Sequence, residues 1–214
     1  MDREPDPVPD LVKQTVELVL GGKPAEARAV WARIDTKRLV SERKMALRVR
    51  HARVFRAAIW EQEPQRRRSA RVLRGRRVAV SQSSRLAIFR RDHFVCRYSH
   101  CRRRTLYAPV LRALSGLFPD LIPYQSNWRP VEEHILYLTY GTSLEHAISF
   151  PNGGTSNPEN LITACYQCND TKNMLDTSEL GWEVARVEDM EWDGLSGYLP
   201  ELLAATGRNR WRSG

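Results

Sequence analysis

Four cysteines, and no others, stand in two close pairs along 214 residues: Cys96-x4-Cys101 and Cys165-x2-Cys168. Four thiolates in two pairs suit one tetrahedral zinc ion with every position closed, which makes such a site structural rather than catalytic. The two-residue gap of the second pair is the spacing of a turn leading into a helix. A zinc ion there ties the chain near residue 96 to the chain near residue 165. Disulfides or a core of reduced thiols are the alternatives. The N-terminus is acidic and proline-rich, with no apolar stretch behind a basic start, so it does not read as a secretory signal. The expected compartment is therefore the cytoplasm, where paired cysteines more often bind metal than each other. His100, inside the first pair, is a lesser candidate for replacing a thiolate. No apolar run approaches the roughly 18–20 residues of a membrane helix.

Beside the second cysteine pair lie a carboxylate, an imidazole and two carboxamides: Glu145-His146, Asn160 and Asn169, with Lys172 just behind. These groups are what is needed to hold one hard metal ion and activate one water. Residues 142–148 alternate enough for a short strand, and 150–158 form a turn-rich loop containing Gly153-Gly154. Residues 161–164 read as a second strand, and 166 to about 174 as a helix. Strand, loop, strand and helix bring Glu145, His146 and Asn169 to one place.

The net charge of +9 is unevenly spread. Residues 43–104 hold 20 Lys/Arg against 3 Asp/Glu, whereas residues 105–214 hold 7 against 14. A basic first half of this kind is the footprint of a polyanion-binding surface. Arginine dominates it, and its guanidinium fork suits phosphate. A solvated, solubilising face is the plain alternative. Residues 1–62 read as an N-terminal helical region: one helix over 11–20 stopped by Gly21-Gly22, a second from Pro24, and a long third capped by Asp35 or Thr36. Residues 63–84 form an Arg-rich linker. Residues 85–182 bear the motifs, opening with a short helix at 85–89 and interrupted by an apparent insertion at 105–140. Residues 183–214 are a C-terminal extension with a short helix at 199–205. The fold class expected is α+β, with the N-terminal helices followed by a zinc-stabilised strand–strand–helix unit.

The motif-bearing segment resembles the HNH endonuclease family of the ββα-metal class. The likeness is carried by Glu145-His146, the Gly153-Gly154 loop, Asn160-Leu161 and Cys165-x2-Cys168-Asn169-x2-Lys172. Phe89-Arg90-Arg91-Asp92-x3-Cys96 looks like the family's lead-in with its zinc knuckle. The match spans about residues 85–182. The resemblance implies a DNA endonuclease leaving 5′-phosphate and 3′-hydroxyl ends. His146 would be the general base and Asn160 would pin the loop. Glu145 and Asn169 would hold one magnesium or manganese ion, and the four cysteines structural zinc. Lys172, Arg66, Arg67, Arg68, Arg71, Arg90 and Arg91 are the expected phosphate contacts. Two departures stand out: Glu145 occupies a place where Asp is commoner, and the proline usual shortly after the histidine is displaced to Pro151. A host-defence or restriction role is compatible, as are mobile-element and repair roles. The competing reading is a zinc-stabilised nucleic-acid-binding module without turnover. The N-terminal helices are expected to be structural or to dock a protein partner, and a homodimer is compatible with double-strand cutting.

Overall fold

The computed structural model describes residues 6–56, 79–124, 134–173, 175–186 and 190–207. The chain opens with a helical hairpin. Helix α1 (Val8–Leu20) buries Val8, Leu11, Val12 and Val16 along one stripe, the spacing of a helix with one covered face. It stops at Gly21-Gly22, where Gly22 takes φ +72°, a conformation open to a residue without Cβ. Helix α2 (Pro24–Trp31) starts on a proline, whose missing amide is no loss in a first turn, and buries Ala27, Val30 and Trp31. Helix α3 (Thr36–Arg56) is capped by Asp35, whose Oδ1 accepts the Arg38 amide.

Helix α4 (Gln82–Arg91) begins three residues before the position expected from the sequence. Ser81 Oγ accepts the Ser84 amide at 3.0 Å and caps it, so the last residues of the 63–84 stretch are helical. Arg66, Arg67, Arg68 and Arg71 lie outside the described residues. Helices α5 (Ala108–Leu117) and α6 (Ile135–Tyr140) come from the stretch that reads as an insertion. Strands β1 (Thr142–His146) and β2 (Leu161–Cys165) pair antiparallel, with Thr142 opposite Cys165 and His146 opposite Leu161. Helix α7 (Tyr166–Lys172) follows β2 directly and ends at Asn173, whose φ is +51°. Two short helices complete the described order: α8 (Thr177–Leu180) and α9 (Leu199–Ala205).

One apolar core joins segments that the sequence suggested were separate. Leu106, Val110, Leu111, Leu114, Leu136 and Tyr140, all from 105–140, pack with Val12, Trp31 and Leu39 of the N-terminal helices. Trp192, Leu195 and Leu202 close the same cluster from the C-terminal side. The reason is size: two five-residue strands and a seven-residue helix cannot bury a sufficient core alone. A second, smaller cluster gathers Cys96, Tyr98, Ile162, Ala164, Cys165 and Cys168, with Trp182 against it.

Two polar anchors hold the hairpin to this frame. Asp92 is buried at the end of α4 and accepts from Arg97 at 2.7 Å, from Arg91 at 2.9 and 3.0 Å, and from the Thr163 amide of β2 at 2.8 Å. Removing one partner of such a buried network costs about 3–5 kcal/mol, because the remaining charges are stranded. Arg43 of α3 reaches α6 and α7 together: it donates to the Leu138 carbonyl and pairs with Asp170, each at 2.9 Å. The N-terminal helices thus grip the helix that carries Asn169.

Candidate active site

The cysteines come together as one cluster, with all four sulfur atoms within 4.8 Å of one another. Cys101 and Cys165 Sγ are 3.8 Å apart. That is the edge of a tetrahedron with metal–sulfur bonds of about 2.3 Å, and far longer than the ~2.05 Å of a disulfide. All four are free thiols. Cys165 also caps α7, its sulfur accepting the Cys168 amide at 3.4 Å. Burial pushes the Cys96 thiol up, whereas hydrogen bonds from Cys165 and Cys168 hold Cys101 low. Crowded, buried sulfurs cannot all ionise without a cation among them, so this donor set fits a divalent metal. His100 does not take a ligand place. Its Nε2 lies 3.7 Å from Cys168 Sγ, and its ring packs on Trp182 with centroids 4.2 Å apart. It supports a sulfur from outside the cluster. Trp182 is accordingly a packing residue. So is Trp192, whose Nε1 donates to the Thr105 carbonyl.

Glu145 and His146 are adjacent on β1, so their side chains leave opposite faces of the hairpin. Glu145 is buried, and His146 is half-buried. His146 Nε2 lies 3.2 Å from Ser156 Oγ, and Phe150 meets the imidazole edge-on at 6.3 Å between centroids. Asn160 closes the intervening loop. Its Oδ1 accepts the Ile148 amide at 2.8 Å, and its Nδ2 donates to the carbonyls of Ile148 at 3.0 Å and Thr155 at 2.8 Å. Gly154 is required there: an added Cβ would sit 1.9 Å from the Ile148 oxygen. Asp176 anchors the same loop from α8, accepting from the Ser149 amide, Ser149 Oγ and Asn152 Nδ2.

Asn169, one residue past Cys168, donates through Nδ2 to Ser143 Oγ and to the Leu144 carbonyl of β1. With its hydrogens used on the strand, Oδ1 is the atom it can offer a cation. Glu145 on β1 carries the other hard oxygen donor, and donors of this chemistry suit a small divalent ion. Lys172 is not the surface phosphate contact expected of it. It is fully buried, with Nζ 3.1 Å from Glu145 Oε1 and 3.0 Å from the His146 carbonyl. Three helical positions after Asn169, it lies on the same side of α7 and points into the hairpin. Arg91 donates to the carbonyls of Pro158 and Leu161 as well as to Asp92, while its side chain stays exposed at 39% and lines the cleft beside the loop. Arg90 stays exposed. Tyr98 lies between the two sites. Burial, then the negative charge of Glu145 and the thiolates, pushes its hydroxyl far up and keeps it neutral.

Ser156, Ser143 and Asp176 are partners that motif spacing did not single out. Each is a small polar residue in or beside a polar loop, where sequence offers no signal to separate it from its neighbours. A cleft of about 860 Å³ opens beside this loop, between it and the length of α4 from Ser84 to Arg91. Ser156 and Phe150 stand in its wall.

Residues 128–174 match the sequence model of the HNH endonuclease family, described as HNH endonuclease. The matched stretch contains β1, β2 and the whole of α7, with Glu145, His146, Ser156, Asn160, Asn169 and Lys172, in agreement with the resemblance seen in the motifs. No curated protein and no solved structure matches the chain. The HNH match points to nuclease activity in general terms. Among the described residues, no helix is long and apolar enough to cross a membrane.

Proposed function

We propose that this protein is a metal-dependent DNA endonuclease that hydrolyses phosphodiester bonds at the β1–β2–α7 unit. The observation that supports the reading is that one β1–β2–α7 unit, within the stretch that matches the HNH family, carries His146 against Ser156, Asn160 pinning the loop that follows, and Asn169 bonded back to β1.

His146 acts as general base. Its ring takes the proton from the attacking water, and the contact of Nε2 with Ser156 Oγ holds the imidazole in place. The water oxygen forms a bond to phosphorus, the bond from phosphorus to the 3′-oxygen breaks, and that oxygen leaves with the electron pair and is then protonated. Products carry 5′-phosphate and 3′-hydroxyl ends. Asn160 fixes the segment after His146 by bonding both backbone groups of Ile148. Magnesium or manganese, held by Glu145 and Asn169, would supply stabilisation of charge on the phosphate and the leaving oxygen. Zinc in the Cys96, Cys101, Cys165 and Cys168 cluster would hold the start of α7 and hence the position of Asn169.

Exposed Arg90 and the arginine run at 66–71 supply phosphate contacts that position DNA without reading its sequence. Host defence or restriction is one biological role compatible with such an enzyme, beside mobile-element and repair roles, and the cytoplasm is its expected compartment.

The test is cleavage of supercoiled plasmid in magnesium by the wild-type protein and by His146→Ala. The variant is expected to bind DNA with little change and to lose cleavage by at least about a hundredfold, the usual contribution of a general base. Undiminished cleavage by His146→Ala refutes the mechanism. DNA binding by a wild-type protein that never cuts, across supercoiled, linear, single-stranded and modified DNA, would favour the binding-module reading instead.

A further inference from the structure

We propose that Lys172 is a positioning residue that neutralises the candidate cation site, so that the cation is captured together with a substrate phosphate and not ahead of it. This rests on the reading above that Glu145 and Asn169 hold the cation.

The two protein donors bring one negative charge between them, since Asn169 is neutral. Lys172 cancels that charge. Its ammonium lies 3.1 Å from Glu145 Oε1 and is fully buried, while Glu145 itself is only 6% exposed. Water therefore screens the pair poorly. The lysine is also held in place, because Nζ donates to the His146 carbonyl at 3.0 Å. The same Glu145 oxygen accepts the His146 amide at 2.9 Å. One carboxylate oxygen and one ammonium thus hold the backbone N–H and C=O of the base residue, fixing both the oxygen donor and the end of β1.

Two consequences follow from charge alone. A divalent ion entering without DNA meets a site of zero net charge with two protein ligands, far short of the roughly six that magnesium requires. Affinity should then be weak. A phosphodiester arriving with the ion adds the missing negative charge and at least one oxygen, so DNA and cation should raise each other's affinity by the same factor. Lys172 enforces this order by repelling a lone cation. A lysine that merely filled space in the core would leave cation affinity indifferent to its charge.

The experiment measures manganese binding by electron paramagnetic resonance on the zinc-loaded full chain. All proteins carry His146→Ala, so that DNA stays intact, and each is titrated with and without a DNA duplex. The parent protein should bind manganese at least about tenfold more tightly with DNA than without, a coupling within the usual range. Adding Lys172→Met should tighten binding without DNA by about tenfold or more, as expected from removing one like charge at close range in a poorly screened site, and should shrink the effect of DNA. Adding Glu145→Gln should abolish the site.

If Glu145→Gln leaves manganese binding unchanged, the metal-site reading itself fails. If Glu145→Gln abolishes binding and a folded Lys172→Met leaves DNA-free affinity within twofold of the parent, only the role of Lys172 fails. Should Lys172→Met not fold by circular dichroism and zinc content, the parent protein decides: tight manganese binding that DNA does not change overturns the proposal.

Discussion

Replacing Asn160 by Asp alters two atoms' worth of chemistry and almost no volume, which makes it a sharp probe of how the base is held. Asn160 makes three hydrogen bonds, one accepted by Oδ1 from the Ile148 amide and two donated by Nδ2 to the Ile148 and Thr155 carbonyls. A carboxylate keeps the first and loses the other two. Each lost bond is worth about 1 kcal/mol net, and facing a negative oxygen toward two carbonyl oxygens adds roughly another 1 kcal/mol in a half-exposed site. The sum is about 3 kcal/mol against the closed loop. At about 1.4 kcal/mol per factor of ten, the fraction of molecules with His146 correctly presented should fall by roughly a hundredfold. The assay is single-turnover plasmid cleavage in saturating magnesium, beside a thermal melt. The rate should drop about a hundredfold for Asn160→Asp. It should drop by a similar factor for Asn160→Ala, which adds no repulsion but loses all three bonds. Melting should fall by no more than about 10 °C, since 1 kcal/mol moves Tm by about 2–4 °C in a chain of this length. A cleavage rate within threefold of wild type for either variant would refute the assignment of Asn160 as the clamp on the loop.

Two further outcomes are expected. Cys165→Ser should release metal from the four-cysteine cluster, lower the melting temperature and depress cleavage, because Cys165 both caps α7 and sits opposite the start of β1; a wild-type protein with no bound zinc by elemental analysis, and a variant with unchanged melting, would dispose of the structural-metal reading. Stability should also fall in mild acid through His134, which packs on Trp31 and accepts the Leu136 amide through Nδ1. Burial lowers its pKa to about 4 from 6.5, so the unfolded chain binds the proton more readily. The contribution is therefore complete above about pH 6.5 and lost as pH falls toward 4, amounting to roughly 2 kcal/mol for this partly exposed ring. Chemical denaturation of wild type and His134→Gln at pH 4, 5, 6 and 7 should show a shallower acid loss in the variant, and parallel curves would exclude this residue as the cause.

The hairpin and its helix were legible because their signals are local. Alternation sets β1, the Gly153-Gly154 turn separates it from β2, and the Cys-x2-Cys spacing opens α7 at Tyr166. Helix α9 spans the same residues, 199–205, that the sequence marks as a short helix. What the residues concealed depends on contacts distant in the chain. Residues 105–140 look like an interruption of a motif, yet Leu106, Leu111 and Tyr140 lie at the centre of the main core. Periodicity marks a face as buried but does not name what covers it. Arg91 belongs to an arginine-rich run, and nothing in that run shows that its part-exposed guanidinium also donates to the carbonyls of Pro158 and Leu161.

Lys172 shows the same limit at the heart of the site. A lysine near the end of a short helix is ordinarily solvated, and only the register of α7 against β1 carries its ammonium 27 residues back in sequence to Glu145. That register has identifiable causes. Cys165 ends β2 opposite Thr142 and caps α7 with its sulfur. Asn169 bonds Ser143 and Leu144, and Arg43 ties Asp170 to α3 and the wider core. A helix of seven residues has little stability of its own, so these attachments, and not its propensity, determine where its side chains point. The four-cysteine cluster and the N-terminal helices then act on chemistry they never touch. Either one, if loosened, should shift Asn169 and Lys172 together against a strand that still presents Glu145 and His146.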